Sequence, residues 1–379
     1  FQRIEGHGVN MTAISEVSKL SWRAIEQDYT LDQYEEELEN IRKKKRNYTP
    51  WQVAVGAGFA CGGFCIQFGC DWMAFLYASI AAILGMRLRQ ICNESGLNHY
   101  MGIAISAFVA TIIAWASTLL PAEWTSTPWH PLLACALFIV PGVPLINFVD
   151  DMLDNYIQVG IVRAVNTLLM VAAMAFGIAF AVKLCHIDNF FPTISMVPHH
   201  KYWEYAIAAA ISAMGFSMIF NIQRRLLWVV AIGGIIAVCT RNFVNLGPST
   251  NNIGLDMGLV IGSFSGSVLV SLIAIKAVHW FHVPNHVLTI PSVIPMIPGV
   301  LMYRMLFGLI NMNVQSIDQV TPLMKAIESG VNSGLVIMCI ALGVAIPNIF
   351  GRRFIAASKN KRLAAILKER RARGKFVEW

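Results

Sequence analysis

Residues 139–151 read IVPGVPLINFVDD and break a rule that the surrounding chain keeps. They close an apolar run long enough to cross a bilayer, yet they carry Pro141, Gly142 and Pro144 and then turn acidic. Proline lacks an amide donor and collides with the preceding turn, so a helix here must bend or open and leave backbone groups without partners. Hydrocarbon offers such groups nothing, and they persist at membrane depth only where protein or a wet cavity serves them. A second interruption, Met296-Ile297-Pro298-Gly299-Val300 followed by Tyr303 and Arg304, repeats the first. Its PGV starts at Pro298 and the first at Pro141, an offset of 157 residues. The pairing predicts two halves of one transport site.

The rest of the chain agrees with a membrane setting. Charged residues make up 13% of the 379, about half the ~25% of an ordinary globular protein, and 56% are hydrophobic. That composition predicts an all-α, polytopic membrane protein. The net charge of +7 is not a nucleic-acid signature, because the cations sit at the edges of apolar runs where lipid headgroups meet them. Cys61 and Cys65 share a helix face, but no histidine stands near to complete a zinc set. His279, His282 and His286 are divided by Pro284, so they do not share one face. No P-loop pattern occurs. The sequence therefore predicts no metal, no cofactor and no ATP hydrolysis. The chain opens with Phe1 and shows no signal peptide.

Residues 1–49 read as a cytosolic helical region. Val9 to Gln27 is amphipathic, and Thr30 with Gln33 forms a capping box for a second helix that ends in the cations of 42–46. A span needs ~20 mostly apolar residues, and candidates fall near 50–68, 71–88, 100–120, 131–148, 165–184, 203–221, 226–244, 253–275, 287–309 and 331–350. With the N-terminus inside, all but Lys183, Lys201, Arg241, Arg304 and Lys325 of the 29 Lys and Arg are cytoplasmic. Ten spans with both termini cytoplasmic follow. Arg87 and Arg241 end the second and seventh spans, and Trp51 answers to Trp203 or Tyr205. The chain thus divides into a first repeat at 50–185, an extracytoplasmic linker at 186–202, a second repeat at 203–350 and a basic tail at 351–379. Five spans per repeat is odd, so the second half enters the membrane inverted, a recurrent plan of secondary transporters. The tail, with Ile355, Leu363, Ile366 and Leu367 between cations, reads as a helix lying on anionic lipid. Soluble helices at one end suit a homo-oligomer.

Ionisable groups near the interruptions are candidates for coupling, since a charge at bilayer depth needs a partner or a wet cavity. Asp150, Asp151 and Asp154 follow the first PGV. Asp151, with Asn147 one turn earlier on the same face, is the first choice for a proton or ammonium site; the alternative is a solvated cluster ending the helix. Asp256, between Gly254 and Gly258 at the start of the eighth span, would exchange a proton if desolvated, or would simply cap that span. Arg304, six residues past Pro298, could hold a substrate carboxylate or pair with an aspartate, with Arg163 and Arg241 as runners-up. Within Pro141-Gly142-Val143 and Pro298-Gly299-Val300, the amides left exposed at the broken helices, those of the glycines and valines, could also bind a carboxylate. Asn245 to Asn252 is a polar turn that could gate. Gly262-Ser263-Phe264-Ser265-Gly266 hints at an intramembrane hydrolase, but its register is wrong and a helix crossing explains it.

The run from Val140 through Arg163 resembles the N-terminal module of the threonine/serine exporter family, which has PGVP, an Asn (here Asn147), an Asp (here Asp151), then a Gly and an Arg (here Gly160 and Arg163). Residues 291–304, PSVIPMIPGVLMYR, resemble its C-terminal module, with PGV and then Tyr303 and Arg304. Asp150 departs from the pattern, which commonly has a basic or neutral residue there. The resemblance implies a ten-span inner-membrane exporter of small amino acids coupled to protons. A two-chain relative associated with succinate export leaves a dicarboxylate as the alternative substrate. The family's cytosolic region usually starts earlier than Phe1 does here.

Overall fold

The computed structural model describes residues 8–121, 123–187, 200–248, 253–310 and 320–372. Among these residues the secondary structure is helical throughout. Two helices come first, α1 (Met11–Gln27) and α2 (Leu31–Lys43). The reciprocal bonds between Thr30 and Gln33 form as their spacing predicts. A second capping box, Thr49 with Gln52, starts α3 (Pro50–Gln67), with Pro50 at the first helical position where its missing amide is not needed. Then follow α4 (Trp72–Glu94), α5 (His99–Trp115), the short α6 (Pro131–Ala134), α7 (Gly142–Leu153) and α8 (Ile157–Leu184). The later elements are α9 (Tyr202–Ile219), α10 (Leu227–Asn245), α11 (Leu259–Phe281), α12 (Asn285–Val293), α13 (Gly299–Ile310) and α14 (Val320–Ala372).

Among the described residues, six helices are long and apolar enough to cross a membrane, and two bent pairs raise the number to eight. The pairs are 131–139 with 142–153, bent by 57°, and 285–296 with 299–306, bent by 62°. Apolar side chains such as Leu76, Ile80 and Leu84 on α4 and Leu168, Leu169, Phe176 and Phe180 on α8 stay exposed, as lipid-facing positions do. The remaining two candidates, α3 and α9, do not qualify by composition. They are rich in Gly and Ala and carry Gln52, Gln67 and Glu204. Protein surrounds them instead: from Gly56 to Gln67 only Phe59 is exposed. The two pack on each other with little between the backbones. A Cβ on Gly215 would stand 2.3 Å from the Gly56 carbonyl, and the Ser212 hydroxyl donates to the Ala60 carbonyl at 3.1 Å. Small residues allow that approach.

Packing recurs along the chain. α3 meets α4 as α9 meets α10, α5 meets α8 as α11 meets α14, and α7 meets α8 as α13 meets α14. Contacts also run crosswise, from α7 to α14 and from α13 to α8. Buried Ala78, Ala82, Gly85 and Met86 of α4 line up with Val230, Gly234, Ala237 and Val238 of α10 at an offset of 152. At that offset Arg241 lines up with Arg89, whereas the sequence pairing takes Arg87. Arg87 instead stacks on Trp51 at 4.8 Å and bonds Gln90. The same offset relates Gly69 to Asn221. Both follow the helix cap in the left-handed region, with φ of 86° and 55°, where only Gly and Asn sit readily.

Asn221 has a second use. Its carbonyl accepts from Thr12, its side-chain oxygen accepts from the Asn47 amide at 2.8 Å, and its side-chain amide donates to Asn10. These bonds tie the N-terminal helices to the turn between α9 and α10.

Two boundaries stand out against expectation. The eighth apolar helix begins at Leu259 rather than 253, after a loop in which Gly258 has φ of 87°. The basic tail is a continuation of the last apolar helix to Ala372, not a separate segment, and Pro347 does not interrupt it. Part of the polar turn, 249–252, and most of the linker, 188–199, lie outside the described residues, as does the side chain of Tyr303.

Candidate functional site

The two interruptions are built alike. In the first, the turn Leu137–Ile139 ends in Val140, and the Gly142 amide folds back onto the Val140 carbonyl at 2.8 Å. In the second, Ile294–Met296 ends in Ile297, and the Gly299 amide reaches the Ile297 carbonyl at 2.9 Å. Each proline thus separates a short helical arm from a new helix start. The amides of Val143, Val300 and Leu301 fall in the first turn of α7 and α13, where no helical carbonyl precedes them.

The breaks touch. A Cβ on Gly142 would lie 2.9 Å from Ile297 Cδ1 and 3.2 Å from Ile294 Cγ1. One on Gly299 would lie 2.7 Å from Leu137 Cδ2 and 3.0 Å from Val140 Cγ2. Each glycine therefore faces the turn of the opposite break, and a larger residue would drive the two apart. Between them is a small cavity lined by Phe64, Leu137, Val140, Phe216, Ile294, Ile297 and Gly299. Phe64 and Phe216, from α3 and α9, meet edge to face with centroids 5.8 Å apart. The room for a water centre is about 10 Å³, enough for at most a single water. Pro141, Gly142, Val143, Gly299 and Val300 are buried around this centre, with Pro298 partly buried.

The charged candidates separate into groups. Asp151 Oδ2 accepts from Arg163 Nη1 at 2.5 Å, joining the end of α7 to α8, with both side chains partly exposed. Asp150 turns another way, toward α12, where its Oδ2 lies 3.8 Å from His286 Nε2. Asn147, one turn before Asp151, is partly buried on α7, and Arg304 is partly buried on α13. The 157 offset makes those two positions equivalent, six residues beyond Pro141 and Pro298. Asp256 is not desolvated as the sequence suggested. It is exposed in the loop before α11, with φ of 54° and its amide on the Leu246 carbonyl at 3.1 Å, and it does not line the cavity.

Several residues here had no strong sequence signal. Phe64, Phe216, Ile294 and Ile297 are apolar side chains among many; only the offsets mark them, 152 relating Phe64 to Phe216 and 157 relating Leu137 and Val140 to Ile294 and Ile297. Of the two serines in the hydrolase-like run, Ser265 donates to the Ile261 carbonyl of its own helix, whereas the Ser263 hydroxyl is buried without a hydrogen-bond partner. Gly262 and Gly266 press against the Arg241 and Ala237 carbonyls of α10, as expected of a helix crossing.

At the N-terminal end of α4, Asp71 collects the turn before α6. Burial pushes its carboxyl up, but the Ala74 amide, the Thr125 hydroxyl and the Ser126 amide and hydroxyl outweigh that and hold it below the usual carboxylate range.

Comparison with known proteins agrees with the geometry. Residues 1–185 match a family model of a threonine/serine exporter, and 205–350 match a second, described as Threonine/Serine exporter, ThrE. Among curated proteins, the chain is 29% identical over 177 residues to "Probable succinate transporter subunit YjjP" of Klebsiella aerogenes, covering 47% of this chain and 67% of that protein. The protein of the same name from Escherichia coli K12 is 28% identical over 177 residues, covering 47% and 68%. No solved structure matches the chain.

Proposed function

The chain belongs to the threonine/serine exporter family, with both modules fused in one polypeptide, and from that premise we propose that it exports threonine and serine across the inner membrane by alternating access. The observation that carries this reading is the meeting of the two breaks, Gly142 on Ile294 and Ile297 and Gly299 on Leu137 and Val140. A centre with room for one water cannot hold threonine, so the arms must part for each transport step. Loose amides of Val143, Val300 and Leu301 then become available to a carboxylate.

Ten crossings complete the picture: the eight above plus α3 and α9, which protein rather than lipid surrounds. The recurring contacts and the 152 and 157 offsets support two inverted five-helix repeats, α3–α8 and α9–α14. Both termini are cytoplasmic, with the helices of residues 8–49 on the same side. The Asp151–Arg163 pair is the coupling element: protonating the carboxylate or admitting a substrate ammonium releases Arg163 for a substrate carboxylate. Asp256, exposed in a loop, is the weaker coupling candidate. Arg304 is the second carboxylate binder, with Tyr303 beside it in sequence. A homo-oligomer held through the N-terminal helices fits this arrangement.

Succinate export is the second reading, favoured by the YjjP relatives and by two arginines near the breaks. Counterflow of labelled threonine and labelled succinate into proteoliposomes decides between them. Saturable threonine counterflow is expected. Succinate counterflow without threonine counterflow would transfer the assignment to a dicarboxylate, and neither would refute transport of both classes.

A further inference from the structure

Unsatisfied polar atoms gather at the mouth of the second broken span. Asn285 and His286 open α12, and Asn348 reaches them from α14. The side chains of Asn285 and Asn348 bond each other, using one donor and one acceptor. Whichever way the two amides are turned, one oxygen and one nitrogen are left over. Both leftover atoms, Asn285 Oδ1 and Asn348 Nδ2, are buried without a partner, and so is His286 Nδ1. Asp150 supplies a carboxylate 3.8 Å from His286 Nε2, beyond hydrogen-bond reach. Asn348, 7% exposed, forms the floor, and the His286 side chain, 36% exposed, forms the rim. Proteins rarely leave several buried polar atoms dry in one place, because each has given up water for nothing.

We propose that Asp150, Asn285, His286 and Asn348 form the loading site of the transporter and that it selects a zwitterionic α-amino acid. This rests on the transport reading above. The substrate ammonium donates to Asp150 and to the free amide oxygen. The substrate carboxylate accepts from the free amide nitrogen and from the imidazole. A dicarboxylate would set a second negative charge against Asp150 and leave the amide acceptor unpaired, which a polar site punishes more than a missing apolar contact. In the orientation proposed, all four residues lie at the cytoplasmic ends of their apolar stretches, Asn348 near the close of 323–351 within the longer α14, where an exported molecule enters. The site draws on α7, α12 and α14, so filling it bears on both broken spans at once.

Equilibrium binding of labelled threonine and labelled succinate to the purified full chain tests this. Asp150→Asn should weaken threonine binding tenfold or more without weakening succinate, and Asn348→Leu should weaken threonine at least fivefold. Asn285→Asp works in the opposite direction, adding an acceptor at the ammonium end: threonine binding should hold or tighten while succinate weakens. If Asp150→Asn does not fold, Asn285→Asp decides alone. Threonine affinity within twofold of wild type in Asp150→Asn and Asn348→Leu, or threonine binding lost in Asn285→Asp, would overturn the site. Those results leave the transport reading intact, whereas a wild-type chain that binds neither ligand removes both.

Discussion

The two broken spans share a backbone and differ in chemistry. Both halt at Pro-Gly-Val, both fold the glycine amide onto the carbonyl two residues back, and both bend by about 60°. Their side chains then diverge. The first follows its break with Asn147, Asp150 and Asp151; the second has Arg304 at the position of Asn147 and places Asn285 and His286 ahead of its break. A shared backbone suits a shared motion, since either arm can part from the other in the same way. Unlike side chains give the two openings different affinities, and a transporter needs that difference to move a solute in one direction.

The largest effect should come from the ion pair of the first arm, Asp151 with Arg163. Arg163→Ala leaves the partly buried Asp151 carboxylate uncompensated, a change worth ~1–3 kcal/mol after allowance for its exposure. Threonine counterflow should fall about 100-fold, with Arg163→Lys recovering a part of it. Unchanged counterflow would remove the pair from the mechanism.

Next is the glycine contact, where the arms should behave alike. Gly142→Leu and Gly299→Leu each force a side chain into the opposite turn, and overpacking of this kind costs ~1–3 kcal/mol. Both should cut counterflow more than tenfold, by similar factors. One silent substitution would show that the contact is not reciprocal in the working protein.

The equivalent positions beyond the breaks should then behave differently. Arg304→Gln should raise the threonine KM about tenfold, and Asn147→Ala no more than about threefold, because a charge-assisted hydrogen bond is roughly twice as strong as a neutral one. Equal shifts would deny the second arm its special part in carboxylate binding.

The smallest effect concerns the turns after α3 and α9. Asp71 holds the first by its carboxylate, and Asn221 holds the second without a charge. Because the Asp71 carboxyl is held below its ordinary range, its stabilisation is whole above about pH 4 and is lost as pH falls through the depressed value. Melting temperatures between pH 6 and pH 3 should fall more steeply in wild type than in Asp71→Asn, while Asn221→Ala should lower them by a similar amount at every pH. Parallel curves for wild type and Asp71→Asn would contradict the role given to that carboxylate.

Much of this was legible in the sequence because backbone breaks advertise themselves. Pro141 and Pro298 announce where a helix must open, and the apolar runs around them fix the class of protein. The 152 register was harder to see: Arg87 and Arg89 are both candidates for Arg241, and only the pattern of burial on α4 and α10 separates them. The pairing of Phe64 with Phe216 depends on how two helices rich in small residues approach, and small residues say that helices come close without saying which. Asn285, His286 and Asn348 come from helices far apart in the chain, and their neighbourhood is a product of packing alone. Asp256 had two readings in the sequence, a desolvated proton site or a loop aspartate capping its helix, and the glycines on either side do not separate them.

The central claim is that the two breaks close on each other and part during transport. With the eight native cysteines replaced, Val140→Cys and Ile297→Cys proteins in oriented vesicles can be exposed to a membrane-impermeant thiol reagent from each side, with and without threonine. The account predicts that both thiols react from the same side in one condition, and that threonine changes the rate at both together. Thiols that stay unreactive from either side in every condition, while the protein still transports, would contradict it.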